Sequence, residues 1–252
     1  MTAPYLLDKN HKTLFPDVEL ALSEPDGLLA VGGDLTIERL VTAYQQGIFP
    51  WYSEGQPILW WSPDPRMILI PNEIKISRSL AKTIRKQKFT ITIDQDFENV
   101  IRSCSKPRFE KGQLQNETWI LDDMISAYKN LHEAGYAHSV ECWQDDKLVG
   151  GLYGIAIGEV FFGESMFSNI SDASKTAFVF LSKQLEQWNF KLIDCQVYTS
   201  HLESLGAKLI PRQQFISLLQ QFSSNDNKYK NKKWQTDPDL VNHVIQSLEN
   251  NK

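Results

Sequence analysis

Two carboxylates and an amide occupy segments that otherwise have the composition of buried strands. Glu164 lies in "FFGESMFS", and Asp194 and Gln196 lie in "KLIDCQV". Because side chains alternate between the two faces of a strand, Asp194 and Gln196 point to the same face. The same rule places Glu164 on one face with Phe162 and Met166. If the two strands are neighbours, the sequence predicts that Glu164 and Asp194 converge on one cleft lined by apolar side chains.

Paired acids in such a place need a partner. Two carboxylates held close together in partly apolar surroundings require a cation, a bound proton or water. Each acid alone can pair with a nearby lysine or cap a turn. Both acids in adjacent core strands, beside large apolar residues, favour instead a binding site for a basic ligand.

Other catalytic patterns are incomplete. "GESMF" resembles a nucleophile elbow except at Phe167, where that motif requires glycine, so a serine hydrolase is disfavoured. The five histidines have no metal-ligand spacing, and the three cysteines are odd in number and far apart. We therefore predict no metal, no cofactor and no disulfide framework.

The composition is that of an ordinary globular protein. The 252 residues are 42% hydrophobic and 23% charged, which disfavours a fibrous or disordered chain and allows one large domain or two unequal ones. The N-terminus has no basic segment followed by a long apolar run, and no apolar run approaches the ~18 residues that span a bilayer. We expect a cytoplasmic protein with no membrane contact.

The positively charged residues are clustered in two stretches. The net charge of −5, by contrast, argues mildly against a nucleic-acid partner. Residues 75–88 contain six basic residues and no acid: Lys75, Arg78, Lys82, Arg85, Lys86 and Lys88. A second cluster near the C-terminus consists of Lys228, Lys230, Lys232 and Lys233. Each cluster is either a solvated face or a contact for phosphates.

The first 71 residues are predicted to form a small α/β domain. Its helix is predicted from apolar residues at helical spacing, Ile37, Leu40, Val41 and Tyr44. The segment "IFPWYSEGQPILWWSPDPR" contains three tryptophans and four prolines, which predicts a loop-rich wall. Its tryptophans either pack in the core or stack on a purine base. A short strand, "MILIP", ends this part, and we place a domain boundary near Pro71.

Residues 72–222 are predicted to form an α+β domain with a mixed sheet. Helices are predicted over 77–86, 96–104 and 120–134, the last with Tyr128 on its apolar stripe. "KFTITID" is predicted as a strand and "SKPRFEKGQLQNE" as a polar loop. Three antiparallel strands follow over 137–168, with turns at 144–146 and 158–159. A helix after Ser171 or Asp172 then leads to the strand "KLIDCQV" through one parallel crossover.

This order of elements suggests an acetyltransferase-like (GNAT-type) sheet, in which the strands on either side of the crossover splay apart to admit an acyl donor. Coenzyme A enzymes of that type have a glycine-rich, basic phosphate loop before the crossover helix. This chain has "SNISDASKTA" there, without the glycines and with an acid. We therefore expect the architecture with a different acyl donor.

Several long motifs are similar, in the same order, to those of a known family. They are "EPDGLLAVGGDLT", "AYQQGIFPWYSEGQPILWWSPDPR", "GGLYGIAIGEVFFGESMFSNISDASKTA", "LIDCQV" and "SLGAKLIPR". From about Phe15 to Phe222 the chain resembles the bacterial leucyl/phenylalanyl-tRNA–protein transferases. The resemblance implies a small N-terminal domain (1–71) and an acetyltransferase-like catalytic domain (72–222), and it leaves residues 223–252 as a lysine-rich tail.

The activity that this resemblance implies is aminoacyl transfer. The enzyme would move Leu or Phe, less often Met, from aminoacyl-tRNA to the N-terminal Arg or Lys of an acceptor protein, and so mark it for the N-degron (N-end rule) pathway. The implied partners are the 3′ ends of Leu-tRNA and Phe-tRNA and proteins with a basic N-terminus. The enzyme is expected to be a monomer.

The matching motifs also imply roles for individual residues. Glu164, Asp194 and Gln196 would form the catalytic polar centre, with Glu164 and Asp194 binding the acceptor. Whether Asp194 accepts a proton or only binds the acceptor stays open. Trp51 and Trp119 would flank the 3′-terminal adenosine. The pocket for the transferred side chain would consist of Leu152, Phe161, Met166, Phe178, Leu181, Leu185 and Ile193. The candidate contacts for the tRNA backbone are Lys75, Arg78, Lys82, Arg85 and Lys86.

Two other functions stay open. Peptidoglycan bridge-forming transferases also use aminoacyl-tRNA and share the acetyltransferase-like sheet, but their acceptor differs. A non-catalytic binder of basic N-termini, resembling an N-degron adaptor, would bind peptides without turnover. The adaptor function leaves the tryptophan-rich loop and the apolar pocket unexplained.

Overall fold

A small sheet with one helix forms the beginning of the described chain. The computed structural model describes residues 3–8, 14–110, 113–115, 118–224 and 233–250. Strands β1 (Tyr5–Leu7), β2 (Leu28–Gly32), β3 (Phe49–Pro50) and β4 (Leu59–Trp61) lie in the order β1-β2-β4-β3. Helix α1 (Ile37–Gln45) is confirmed, and Gly47 follows it with a φ of +77° that suits glycine. The helix buries Leu40 and Tyr44, as the spacing predicts.

Most of the remaining described chain is built on a seven-stranded mixed sheet. Its strands lie in the order β13-β5-β12-β11-β10-β9-β6. In chain order they are β5 (Arg66–Leu69), β6 (Thr90–Ile93), β9 (Ala137–Gln144), β10 (Lys147–Ile157), β11 (Val160–Ser168), β12 (Leu192–Gln196) and β13 (Lys208–Ile210). A separate hairpin, β7 (Arg108–Glu110) and β8 (Gln113–Gln115), occurs where the sequence predicts only a polar loop, so that prediction is wrong there.

Helices cover both faces of this sheet. They are α2 (Arg78–Arg85), α3 (Phe97–Cys104), α4 (Asp122–Glu133), α5 (Ala173–Gln187), α6 (Ser200–Ser204), α7 (Arg212–Phe222) and α8 (Leu240–Asn250). Helices α1, α3, α4 and α7 bury their apolar residues in one core, which we call the first face, and α2, α5 and α8 bury theirs in a second core, the second face. The predicted helices over 77–86, 96–104 and 120–134 are confirmed within two residues at each end.

The predicted parallel crossover is confirmed, and its two strands separate. Strands β9, β10 and β11 are antiparallel neighbours, and α5 connects β11 to the parallel strand β12. The pairing of β11 with β12 runs from Val160 opposite Leu192 to Phe162 opposite Asp194. Beyond that pair the two described strands are no longer paired, so their backbones separate, and the side chain of Gln196 at the end of β12 reaches across to Glu164.

A bulge in β11 changes which side chains share a face. Ser165 lies opposite Tyr153 but Gly163 lies opposite Gly154, so the extra residue in β11 is Glu164. Phe162 and Glu164 belong to the first face, whereas Met166 packs in the core of the second face. The expectation that Met166 shares a face with Glu164 is therefore wrong, because strict alternation fails at a bulge.

Two segments are more closely integrated than their sequence suggests. Strand β5 precedes Pro71 but pairs with β12 and β13, so the large sheet contains residues on both sides of the predicted boundary, whose position stays a prediction. In the C-terminal region, Trp234, Leu240 and Val244 are buried in the core of the second face. Lys228, Lys230 and Lys232 lie outside the described residues.

Candidate active site

Glu164 is a buried carboxyl group in contact with two helices and one strand. The hydroxyl of Tyr44, in α1, lies 2.7 Å from Glu164 Oε1, and that of Tyr128, in α4, lies 2.8 Å from Oε2. Gln196 Nε2 donates to Oε1 at 2.7 Å. The hydroxyls of Tyr44 and Tyr128 also contact each other as a hydrogen-bonded pair. The predicted proximity of Glu164 and Gln196 is thus present, and the two tyrosines are partners that the sequence analysis did not assign to this acid.

Both oxygens of Glu164 accept hydrogen bonds. Tyr44 and Gln196 donate to Oε1, and Tyr128 donates to Oε2. Hydrogen bonds donated to a carboxylate favour its ionised form, whereas burial away from water favours the protonated form. The environment of Glu164 therefore combines two opposing effects on its ionisation.

The pKa of Glu164 reflects the balance of these effects. Burial raises it from 4.5 to about 7, and the nearby Asp194 adds to the rise, while the hydrogen bonds from Tyr44, Tyr128 and Gln196 lower it. A carboxyl group with a pKa near the working pH can both hold and release a proton. Glu164 thus has the property expected of a general acid or base.

Asp194 has a different environment. Arg66, in β5, donates from Nε to Asp194 Oδ1 at 2.8 Å and from Nη2 to Oδ2 at 2.7 Å, and both side chains are fully buried. The guanidinium lies between the rings of Phe49 and Phe215, with its centre 4.7 and 4.6 Å from their centroids. The expectation that Asp194 lies open to an incoming cation is wrong, because the protein's own arginine occupies both carboxylate oxygens.

The ion pair nonetheless contributes to the site by holding Gln196. Gln196 has a φ of +61°, in the left-handed region that is unfavourable for a residue with a side chain. Its backbone N–H donates to Asp194 Oδ1 at 2.9 Å, which stabilises this conformation, and its side chain then reaches Glu164. Asp194 therefore positions Gln196, and Gln196 positions Glu164.

The seven residues predicted for the side-chain pocket lie together in the core of the second face. Leu152, Phe161, Phe178, Leu181, Leu185 and Ile193 are buried there, and Met166 is partly buried against them. Phe161 is directly opposite Ile193, one residue before the last pair of β11 and β12. The apolar cluster therefore lies next to the point where the two strands separate, on the second face, and Glu164 lies at the same point on the first face.

The tryptophans differ in exposure. Trp60 is buried and donates from Nε1 to Gly32 O, so core packing is correct for that residue. Trp51 is 44% exposed, next to Trp61, with ring centroids 5.8 Å apart. Trp119 is half-buried against the core of the first face. A hydrogen bond of 2.6 Å from Tyr52 to Asp123 connects the segment after Trp51 to the start of α4, which follows Trp119.

The basic stretch forms α2 and its flanks. Lys75, Arg78, Lys82 and Lys86 are exposed, as a phosphate contact requires. Arg85 is half-buried and donates to Leu248 O in α8 at 2.8 Å, so it serves helix packing. Thr83 donates a hydrogen bond of 3.0 Å to Asp172, the residue directly before α5. Helix α2 therefore lies at the end of the sheet where β11 and β12 separate.

Two structural features are absent from the described part of the chain. Residues 3–8, 14–110, 113–115, 118–224 and 233–250 contain no cluster of three or more His, Cys, Asp or Glu residues suited to a metal ion. Among the same residues, no helix has the length and apolar character needed to cross a membrane.

The raised pKa of Glu164 predicts that ionisation of this residue destabilises the fold. The folded-state pKa lies above the unfolded value, so the stabilising contribution is complete below pH ~4.5 and is lost as pH rises through about 7. We expect the free energy of unfolding to fall by about 2–3 kcal/mol more for the parent protein than for Glu164→Gln between pH 5 and pH 8. Urea unfolding of both proteins at both pH values measures this difference. Parallel pH profiles would contradict a raised pKa.

The geometry of this site indicates the general class of protein, and comparison with known proteins then identifies the family. A buried, protonatable carboxyl group lies where two parallel strands separate, and an apolar cluster lies on the other face of the same strands, which is the arrangement expected of an enzyme's active site rather than of a structural protein. The profile of the family "Leucyl/phenylalanyl-tRNA protein transferase" matches residues 68–220, and that of its N-terminal domain matches residues 33–64. The chain belongs to this family and is an aminoacyltransferase.

Curated relatives agree over most of their length. The chain is 56% identical to the leucyl/phenylalanyl-tRNA–protein transferase of Hydrogenovibrio crunogenus over 88% of this chain and 86% of that one. It is 55% identical to that of Cellvibrio japonicus over 90% and 92%. Among solved structures, L-PGS from Bacillus licheniformis aligns with 87% of this chain and 71% of its own, at 10% identity and a TM-score of 0.37, a likeness too low to support an argument.

Proposed function

We propose that this enzyme transfers Leu or Phe, less often Met, from aminoacyl-tRNA to proteins that begin with Arg or Lys. It would act as a cytoplasmic monomer, and its large sheet would be of the acetyltransferase-like type. The observation that carries the proposal is the position of Glu164. This buried carboxyl group, without a cationic partner among the described residues, lies where two parallel strands separate, and the apolar cluster lies at the same point on the other face of the sheet.

The proposed chemistry requires little from the protein beyond position and a proton acceptor. The aminoacyl ester is already activated, so the enzyme must hold a neutral α-amine against its carbonyl carbon. The amine nitrogen forms the peptide bond, the bond to the ribose oxygen breaks, and that oxygen leaves with a proton. An α-amine has a pKa of about 8, so its deprotonation costs roughly 1 kcal/mol at neutral pH.

Glu164 is the proposed proton acceptor. Its pKa of about 7 allows it to take the proton of the α-amine and pass it to the departing ribose oxygen. Asp194, paired with Arg66, is instead a positioning residue that acts through Gln196. Glu164, and not Asp194, would therefore contact the positive charge of the acceptor.

Two further proposed contacts are the pocket for the transferred side chain and the aromatic surface for the 3′-terminal adenosine. The apolar cluster of the second face, which includes Leu152 and Ile193, would bind the side chain of Leu or Phe. Neither of these transferred side chains is branched at Cβ. Trp51 and Trp119 would stack on the 3′-terminal adenosine, and base–aromatic stacking contributes about 1–3 kcal/mol per base. The exposure of Trp51 supports this role, since a stacking surface must be free in the unbound enzyme.

Exposed lysines of α2 would contact the tRNA backbone. Replacing Lys82 and Lys86 by glutamine is expected to raise the KM for Leu-tRNA and to make it less sensitive to salt, because each lost phosphate contact reduces the slope of log affinity against log salt by about 0.7–0.9. Steady-state KM over a range of KCl concentrations measures this slope. Lys191→Gln, before β12 at the opposite end of the sheet, is a control for the loss of a positive charge away from α2. An unchanged slope for the double variant would exclude α2 as the contact.

The proposed function is tested by transfer of labelled leucine from Leu-tRNA to a peptide that begins with Arg. We expect transfer to Arg- and Lys-starting peptides and none to the same peptides with an acetylated N-terminus. Transfer to a muropeptide instead would indicate a peptidoglycan bridge transferase. Peptide binding without turnover in the presence of charged tRNA would indicate an adaptor.

A further inference from the structure

Trp51 combines an exposed side chain with a backbone that is held on both sides. Its residue surface is 44% exposed. Its backbone N–H donates to Leu59 O at 2.9 Å, and its carbonyl oxygen accepts a hydrogen bond from Nε1 of Trp61 at 2.6 Å. Both partners belong to β4, so this strand fixes the place from which the ring of Trp51 projects. A ring presented to solvent from a fixed backbone is preorganised for binding.

The next residue, Tyr52, connects this segment to α4. Its ring is buried in the core of the first face, and its hydroxyl donates to Asp123 Oδ2 at 2.6 Å. Burial and the carboxylate of Asp123 raise the pKa of Tyr52, so the hydroxyl keeps the proton that it donates. The other oxygen of Asp123, Oδ1, accepts from the backbone N–H of Met124 at 2.8 Å. The acceptor of this short, charge-assisted hydrogen bond is therefore itself held in place.

Asp123 lies in the first turn of α4, four residues after Trp119. The segment between them is anchored, because Ile120 is buried and its N–H donates to Thr118 Oγ1 at 3.1 Å. The hydrogen bond from Tyr52 thus joins the residue after Trp51 to the turn that follows Trp119. The two tryptophans are far apart in the sequence, so their separation depends on tertiary contacts such as this one.

We propose that Tyr52 is a positioning residue for the donor substrate: its hydrogen bond to Asp123 sets the spacing of Trp51 and Trp119 and thereby the affinity for the 3′-terminal adenosine. This inference rests on the proposed function, in which both tryptophans stack on that adenosine. Two rings can stack on one base only when their spacing matches the thickness of the base. A hydrogen bond between the segments that carry them favours this spacing before the substrate binds.

Tyr52→Phe tests this role, because it removes the hydrogen bond and keeps the buried ring. We expect the KM for Leu-tRNA to rise roughly 3- to 10-fold, since stacking on one aromatic ring contributes a factor of about 5–150 to affinity and a displaced ring loses part of it. The KM for an Arg-starting peptide should be unchanged. The rise should be the same at low and high KCl, because stacking neutralises no phosphate.

A leucyl ester of adenosine, used as a minimal donor, shows whether the effect is confined to the terminal nucleoside. Its KM should rise by the same factor as the KM for Leu-tRNA when Tyr52 is replaced by phenylalanine. A rise for Leu-tRNA alone would mean that Tyr52 acts on another part of the tRNA, and this result would overturn the proposal.

A second substitution tests the hydrogen bond itself. Asp123→Ala should raise the KM for Leu-tRNA by a similar factor, and Tyr52→Phe/Asp123→Ala should add nothing further, since either change breaks the same bond. Tyr198→Phe is the matched control: it removes a hydroxyl that donates to another carboxylate, Glu203, at 2.8 Å, and should leave this KM unchanged.

Additive effects of the two substitutions, an unchanged KM for Tyr52→Phe, or equal rises for donor and acceptor would each contradict a positioning role of Tyr52. Failure of the parent enzyme to transfer leucine from Leu-tRNA to the peptide would instead refute the proposed function, and this inference with it.

Discussion

Arg66→Met is expected to lower the free energy of unfolding by about 3–5 kcal/mol, which is the cost of leaving one member of a buried ion pair without its partner. Arg66 and Asp194 are both fully buried and share two hydrogen bonds. Methionine has a similar reach and no charge, so the variant removes the cation while filling most of its volume between Phe49 and Phe215. The loss therefore reports the uncompensated carboxylate rather than a cavity.

A second variant separates charge from packing. In Arg66→Met/Asp194→Asn no buried charge remains at this pair, and the introduced amide oxygen can still accept from the backbone N–H of Gln196. We expect the double variant to recover most of the stability that Arg66→Met loses, which urea unfolding of the four proteins in the cycle measures. A loss below about 1 kcal/mol for Arg66→Met would show that Asp194 has another partner or access to water.

Much of this fold could be predicted from local patterns. Helix α1, the three antiparallel strands, and the crossover to β12 follow from apolar spacing and turn residues, which depend on neighbours in sequence. The proximity of Glu164 to Gln196 also followed, because a parallel crossover makes the two strands neighbours. These features need no knowledge of distant segments.

The partners of the acids were harder to predict because they come from far along the chain. Arg66 is 128 residues before Asp194, and Tyr44 is 120 residues before Glu164. A signal existed for the tyrosines: Tyr44 and Tyr128 lie on the apolar stripes of two helices, and a buried tyrosine hydroxyl needs a hydrogen-bond partner. Arg66 gave a weaker signal, an arginine that opens an apolar strand. Only the order of strands in the sheet places β5 beside β12.

The bulge in β11 explains how one strand contributes to both faces of the site. Without it, Glu164 and Met166 would share a face, and the carboxyl group would lie within the apolar cluster. With it, Met166 joins Phe161 and Leu152, whereas Glu164 contacts Tyr44 and Tyr128. A polar group and an apolar cluster can then lie at the same point of the sheet, on opposite faces. Sequence alternation cannot show this, since a bulge leaves no fixed residue pattern.

Glu164→Gln is expected to reduce kcat for peptide-bond formation by about 10²- to 10⁴-fold, the range over which a positioned general base contributes. Glutamine keeps the shape of the side chain but cannot take a proton from the acceptor amine. With both substrates saturating, the kcat of the parent enzyme should rise with pH through about 7, as Glu164 ionises. The variant should lose that inflection and retain KM values for both substrates within a few-fold.

Tyr128→Phe distinguishes a catalytic role of Glu164 from a purely structural one. The hydrogen bond from Tyr128 lowers the pKa of Glu164, so its removal should move the inflection of kcat to higher pH while leaving the rate at high pH near that of the parent. A structural role predicts instead an equal loss of activity at every pH. If Glu164→Gln keeps both kcat and the inflection near pH 7, the proton must leave through another group, and Asp194 with Gln196 would be the next pair to test.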